Sequence, residues 1–320
     1  MNSFITQIVK SNKIKYLVLL LLFLPVSQLM AEDIPDVPEP SLEQVLIQDN
    51  IAISKWFDSV AEGLDLFLAG KKKSTQVNKS HFKVENSTYV IDGEKPKNVT
   101  SFGINVRLPN VEEYWQLKFT SYDEKEDTQS VQKGYLRQTP RKENYGATVG
   151  LFRKLGNVKA SFQPRIELQD PLKISHSLKF ESVADLKTYR VNPKIDFYTD
   201  PDTGAGIIWG FNFNFTLNPV FSLTLINEAN YSEKSHLYTA DNGFSLGESL
   251  TKTSSLAYSL IFNSTNRPSY HLEGYSASVA YGQVVYKNIL DYQLIPHLDF
   301  AKENSFKGVA GVTFNLVLNF

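Results

Sequence analysis

Charged side chains occupy the polar row of several segments in which apolar and polar residues alternate. Eight of them are cations and three are anions, so this row carries a positive excess. Inside a narrow passage with walls of low dielectric constant, such an excess favours anions. The same charges could instead pair across adjacent strands and only crosslink the wall. The residues are Arg107, Lys118, Lys159, Arg165, Lys173, Lys179, Arg190 and Lys194 against Glu167, Glu181 and Asp196.

Two acidic stretches offer carboxylates of the kind that bind calcium. They are Asp123 to Asp127 and the sequence Asp-Pro-Asp-Thr-Gly at 200–204. Their spacing does not match the calcium-binding loop of EF-hands, and a solvated loop and a tight turn explain them. The chain has no cysteine, no zinc-ligand spacing and no glycine-rich phosphate loop. We therefore expect neither a metal nor a cofactor.

The clearest element that could position these charges is the last segment of the chain, Lys307 to Phe320. Every even position from Ala310 to Phe320 is apolar, whereas polar or small residues stand at most odd positions. Alternation with a period of two places one row on each face of a β-strand. One face would contact lipid and the other a wet interior, as in the wall of a membrane barrel.

This terminal strand resembles the assembly signal of Gram-negative outer-membrane β-barrels. The resemblance rests on Phe320 at the end of the strand and on apolar residues two, four and six positions earlier, namely Leu318, Leu316 and Phe314. It implies recognition by the barrel-assembly machinery and insertion among outer-membrane lipids. The resemblance implies where the protein is located and does not imply an activity.

Further alternating segments follow one another from about residue 80 to residue 320. We predict an all-β fold, an antiparallel up-and-down transmembrane β-barrel of about fourteen strands with a short N-terminal amphipathic helix. The segments near 81–91 and 236–250 are the least regular, so twelve strands is the alternative count. Pro164, Pro193 and Pro296 fall within strands and predict bulges or breaks, because proline cannot donate a ladder hydrogen bond. An even count places both termini in the periplasm and the long connection near 123–142 on the outside.

The N-terminus indicates export. Lys10, Lys13 and Lys15 precede an apolar run, and cleavage after Ala31 would complete a signal peptide over 1–31. An uncleaved transmembrane helix is the competing interpretation, but the run is shorter than a bilayer requires. Removal of three lysines and no acids takes the formal net charge from −1 to −4, which does not suggest nucleic acid.

Residues 32–79 are expected to form a periplasmic proline-rich tether followed by the amphipathic helix. Trp56, Phe57, Val60 and Leu64 recur at helical spacing and give the helix an apolar face. That face could pack against the periplasmic mouth, plug the lumen or dock a periplasmic partner. These four residues are the candidates for docking.

An enzyme is the least favoured class. Lipid-hydrolysing enzymes on outer-membrane barrels present a His and a Ser two positions apart, and this chain has no His-x-Ser. His176 lies between Ser175 and Ser177, but adjacent strand residues point to opposite faces. The sequence thus leaves two main hypotheses: a passive pore with a polar, somewhat basic lumen, or a structural barrel whose helix recruits a partner. The combination of helix and barrel is similar to uncharacterised proteobacterial barrel proteins, which supply no activity.

Overall fold

The computed structural model describes residues 42–69, 80–108, 115–286 and 289–320. The expected signal peptide over 1–31 and the proline-rich part of the tether lie outside these residues. Among the described residues, no helix combines the length and the hydrophobicity that a membrane crossing requires.

Two α-helices and fifteen β-strands occur in the described residues. Helix α1 is Leu42–Ala69 and α2 is Glu124–Gln129, and a 3-10 turn spans Lys302–Asn304. The strands are β1 His81–Ile91, β2 Lys97–Arg107, β3 Trp115–Tyr122, β4 Glu143–Leu155, β5 Val158–Glu167, β6 Lys173–Ser182, β7 Ala184–Asp185, β8 Tyr189–Asp200, β9 Gly204–Thr216, β10 Phe221–Ser232, β11 Leu237–Ser249, β12 Ser254–Thr265, β13 His271–Val285, β14 Leu290–Ala301 and β15 Gly308–Asn319.

The sheet closes on itself. Strands adjacent in sequence pair antiparallel, β6 also pairs with β8, and β1 pairs with β15. The two-residue β7 lies at an edge, so fourteen of the strands described here form the barrel wall. The two least regular segments are β1 and β11, so the alternative count of twelve is wrong and fourteen is confirmed.

Alternation sets the two faces of the wall. Thr313 and Asn315 on β15 are buried and face inward, whereas Val312 and Phe314, which alternate with them, are each 39% exposed. The same outward row holds Leu225 and Phe211 on other strands. Phe314, Leu316, Leu318 and Phe320 therefore all belong to the outward row of the closing strand, as the sequence predicts.

A small polar group interrupts the outward row on β1 and β2. Asn86 and Asn98 exchange amide hydrogen bonds of 3.0 Å, and they also donate to Thr100 and Thr88 at 2.8 Å. Because these groups satisfy one another, the outer face tolerates them at less cost than isolated amides.

Each of the three prolines within strands lies where the hydrogen-bond ladder to one neighbouring strand is interrupted. The pairing of β4 with β5 is interrupted at Pro164, and the pairing of β13 with β14 is interrupted at Pro296. Pairing of β6 with β8 ends at Lys194, one residue after Pro193. Each break removes the need for the donor that proline lacks.

Helix α1 packs on the outer face of the barrel, at the end where β1 begins and β15 ends. Phe57 and Ala61 are buried in a cluster with the outward-facing Val106 and Leu108. This matches the expectation of packing near the mouth and excludes a plug in the lumen. Phe57 faces the wall, so its expected role in docking a partner is corrected. Trp56 is 60% exposed, and the side chains of Val60 and Leu64 lie outside the description.

We predict that the outward row contacts lipid with a depth-dependent penalty for charge. Leu225→Arg, near the middle of β10, should lower the free energy of unfolding in vesicles by about 2–4 kcal/mol. Leu217→Arg, in the turn after β9, should cost about 0–1 kcal/mol. Urea titration of the refolded protein measures both, and equal costs would contradict the assignment of the outward face.

Candidate functional site in the barrel lumen

Residues 123–142, between β3 and β4, fold into the lumen, and we call them the inward segment. The expectation of a solvated loop at Asp123 to Asp127 is therefore wrong, while the side of the membrane on which this connection begins stays a prediction. Leu136 is only 1% exposed because it packs on inward-facing Ile226, Ile261 and Ile295. Burying this leucine offers a gain that a solvated loop would lack.

One end of the inward segment is fixed to β1 and β2. Arg141 donates to Glu85 at 2.5 Å and to Ser101 at 3.2 Å, and its guanidinium lies 4.3 Å from the ring centroid of Tyr122. It also forms a bidentate ion pair with Asp127, with hydrogen bonds of 3.2 and 3.0 Å. Glu85 is itself buried, and Lys83 gives it a second cation at 2.7 Å. A buried carboxylate needs such partners.

The middle of the inward segment is fixed to the opposite wall. Glu228 on β10 accepts a hydrogen bond from the backbone N–H of Val131 at 2.6 Å. The same carboxylate receives Lys194 at 2.6 Å and Asn212 at 3.0 Å. Because β2 and β10 stand seven strands apart in either direction around the wall, the inward segment crosses the full width of the lumen.

Three more contacts hold the inward segment in place. Asn263 of β12 donates to Gln132 at 2.9 Å, and Ser276 of β13 donates to Gln138 at 3.0 Å. Lys125 pairs with Asp200 at 2.8 Å. Burial lowers the pKa of Lys125, but the charges of Asp123 and Asp200 outweigh burial and raise that pKa above its ordinary value.

The carboxylates that could have bound calcium lie beside the ammonium group of Lys125. Asp123, Glu167 and Asp200 approach one another closely enough to share an ion. Lys125 lies beside two of them, at 3.5 Å from Asp123 and 2.8 Å from Asp200. Asp200 also accepts two backbone hydrogen bonds from its own turn, as expected for a tight turn.

Five of the eight predicted lumen cations are paired with carboxylates. The pairs are Lys118–Glu124, Lys173–Asp202, Lys179–Glu181, Arg190–Asp185 and Lys194–Glu228, at distances between 2.5 and 3.3 Å. Crosslinking of the wall therefore accounts for most of the positive excess that the sequence suggests. The remaining two predicted anions also have partners, since Glu167 accepts from Gln169 and Asp196 accepts from Ser177.

Three of the eight predicted cations form no direct ion pair with a carboxylate among the described residues. Arg165 is buried and donates to neutral acceptors, including Thr120 at 2.7 Å and the carbonyl of Asn144 at 2.7 Å. Lys159 lies 4.8 Å from the ring centroid of Phe152. Arg107, at the end of β2, is the third of these cations.

Two cavities flank the inward segment, and Asp127 lines both. The smaller, of about 330 Å³, lies against β2 to β8 and is lined by six cations, among them Arg107, Lys159 and Arg165, and by five carboxylates. The larger, of about 690 Å³, lies against β1 and β11 to β15 and is lined mainly by hydroxyl and amide side chains, together with four cations and three carboxylates. Both volumes fall within the roughly 300–1,000 Å³ typical of small-molecule sites.

Sequence reasoning missed the groups that hold the inward segment, chiefly Glu85, Glu228, Arg137 and Arg141. Arg137 is 3% exposed and pairs with Asp127 at 2.8 Å. One signal was available, because Val131 and Leu136 are apolar residues inside an otherwise polar connection. An apolar pair there favours a buried loop over a solvated one.

The histidines do not assemble a nucleophile. His176 stacks on Phe162 of the outward row, with ring centroids 6.0 Å apart. His297 pairs with Asp299 at 2.7 Å, but its Nε2 atom has no hydrogen-bond partner among the described residues. A base needs a hydroxyl at that atom for nucleophilic catalysis.

Comparison with known proteins reveals similarity in fold. No family model and no curated protein sequence matches the chain. Among solved structures, the outer membrane channel DcaP of Acinetobacter baumannii is similar at 7% identity, over 78% of this chain and 99% of that chain, with a TM-score of 0.46. OmpT, an outer membrane protein of Vibrio cholerae, gives 7% identity over 78% and 99%, with a TM-score of 0.45. OccK5 of Pseudomonas aeruginosa gives 8% identity over 76% and 98%, with a TM-score of 0.44. Likeness at this level says nothing about a solute.

The position of the Arg165 side chain depends on a glycine on the neighbouring strand β4. A Cβ atom on Gly146 would lie 2.4 Å from the guanidinium carbon of Arg165. Gly146→Ala should therefore displace Arg165 from its acceptors and lower the free energy of unfolding by about 1–3 kcal/mol. Gly103→Ala is the matched control, because its nearest atom would lie at 3.7 Å. Urea unfolding in detergent micelles compares the two, and equal losses would contradict the assigned role.

Proposed function

We propose that this protein is a passive outer-membrane channel for small hydrophilic solutes, constricted by the inward segment. The observation that carries the proposal is the inward segment itself, held on opposite walls with an open cavity on each side. A barrel that serves only as a platform has no need of a fixed element across its lumen. We also propose that both termini face the periplasm and that the barrel-assembly machinery recognises the strand ending at Phe320.

The ionic preference follows from the charges that remain. In the smaller cavity Arg107, Lys159 and Arg165 belong to a set of six cations that faces five carboxylates, and an excess of one cation in a passage walled by low-dielectric protein favours anions weakly. The larger cavity, with four cations and three carboxylates, has the same excess of one. We therefore propose a mild overall anion preference, weaker than the eight-to-three count in the sequence suggests.

A docking barrel is the second candidate, and exposure of Trp56 is the observation that favours it. Such a barrel would leave the lumen closed. Conductance separates the two candidates, because a closed lumen passes no current.

Release of the inward segment should widen the channel. Glu85→Gln together with Glu228→Gln removes the two buried carboxylates that hold it, so single-channel conductance in planar bilayers should rise. The control is Glu181→Gln, since Glu181 pairs with Lys179 on the wall and has no contact to the inward segment. Heat-modifiable gel mobility checks that each barrel is folded. No current from the unmodified protein would contradict the proposed function.

Charge reversal in the smaller cavity should change selectivity. Arg107→Glu with Lys159→Glu should move the zero-current potential in a salt gradient towards cation preference. Arg190→Glu is the comparison, because Arg190 is already paired with Asp185 at the exposed end of β8 and should have a smaller effect. An unchanged potential in the double variant would exclude the smaller cavity as the ion path.

A further inference from the structure

Helix α1 crosses the ends of four consecutive strands on the outer face of the wall. The side chain of Asn50 donates to the carbonyl of Asn319 on β15 at 2.7 Å, and Phe57 lies 6.5 Å from Phe82 of β1. Ala61 belongs to a cluster with Leu108, just past the end of β2, and Leu117 of β3 packs against that cluster. Eleven helical residues rise about 16 Å, and three strand spacings measure about 14 Å. The helix therefore lies across the strands near their ends.

The two flanks of α1 differ in chemistry. Successive helical residues are rotated by about 100°, so Trp56 and Asp58 flank Phe57 on opposite sides. Glu62 follows Ala61 and so lies on the same flank as Asp58. Trp56 is 60% exposed, and Asp58 and Glu62 are exposed as well. The Trp56 flank thus presents an indole and, two turns earlier, the exposed carboxylate of Asp49. The opposite flank presents the carboxylates of Asp58 and Glu62 and, two turns before Asp58, the exposed side chain of Ile51.

Backbone chirality shows which flank faces the middle of the wall. Phe82 points outward and exchanges both backbone hydrogen bonds with Phe320, at 3.0 and 2.8 Å. For L-residues this places β15 to the right and β2 to the left of β1, viewed from outside with the chain termini below. A right-handed helix that runs from right to left across this face turns its Trp56 flank up, towards the middle of the wall. Its Asp58 flank turns down, away from the barrel.

We propose that α1 is an interfacial anchor that inserts Trp56 into the lipid leaflet next to the barrel end where β1 begins and β15 ends. The lipid surface is the occupant because the Trp56 flank continues the outward apolar row of the wall, which itself contacts lipid. Indole rings favour the headgroup level of a bilayer, and acidic side chains on the far flank remain in water. The inference depends on the barrel lying in a bilayer and not on conductance through its lumen.

Fluorescence quenching of the refolded full chain tests this anchor. The protein has three tryptophans, so Trp115→Phe with Trp209→Phe leaves Trp56 as the only emitter. In vesicles of phosphatidylcholine brominated on the acyl chain, Trp56 should lose intensity, and its emission should lie at shorter wavelength than that of free tryptophan. Quenching should be stronger with bromine near the headgroup than with bromine near the chain end.

Two controls keep the outcome decisive. Trp209 alone, obtained with Trp56→Phe and Trp115→Phe, reports the outward face of β9 and should be quenched by the deeper bromine. Glu62→Trp in a chain without the native tryptophans should be insensitive to bromolipid and accessible to aqueous iodide. If Trp209 is quenched while Trp56 behaves like Glu62→Trp, the anchor is overturned although the barrel is inserted. If Trp56 is shielded from both quenchers, another part of the chain or a second copy of it covers the indole, and the lipid assignment fails.

Discussion

The requirement that every backbone polar group be paired within a bilayer governs the whole structure. A sheet with a free edge would leave a row of N–H and C=O groups unpaired in hydrocarbon, so the first and last strands must meet. Here β1 and β15 pair from Lys83 opposite Asn319 to Ile91 opposite Gly311. The hydrogen bonds between Phe82 and Phe320 extend that seam to the final residue. Once the seam forms, the direction of every side chain in the wall follows from its parity.

Closure of the sheet also encloses an interior that the inward segment partly fills. A cylinder of this many strands encloses more space than its own side chains fill, and inward-facing Ile226, Ile261 and Ile295 would meet water. Leu136 covers this apolar patch, and the charges around it are arranged so that buried carboxylates meet cations from the segment or from the wall. Glu85 and Glu228 each receive at least two donors. The same contacts that stabilise the interior thus define how much of it stays open.

The fold was predictable from the sequence to a greater depth than the site. Alternation with a period of two indicates a wall that faces lipid on one side and water on the other. The number of strands, the face on which each residue lies and the interrupted strand pairing at Pro164, Pro193 and Pro296 could therefore be inferred. Pairing of charges could not, because it depends on which distant strands and loops meet. The acidic run at 123–127 has the composition of a solvated loop, and only closure of the barrel around it makes Arg141 and Glu85 neighbours. Phe57 illustrates the same limit, since an apolar helical face does not reveal what will cover it.

Helix α1 lies over the place where the chain joins itself. It begins its contacts at Asn319 of the last strand and continues across β1 to β2, so it covers both sides of the closing seam. A seam between first and last strands has no covalent hairpin to hold it, unlike every other strand pair of the wall. Burial of Phe57 and Ala61 across it adds apolar contacts where connectivity adds none, at about 25 cal/mol for each Å² removed from solvent. An interfacial anchor at this position would therefore hold the seam from outside, while the inward segment holds β1 and β2 from within.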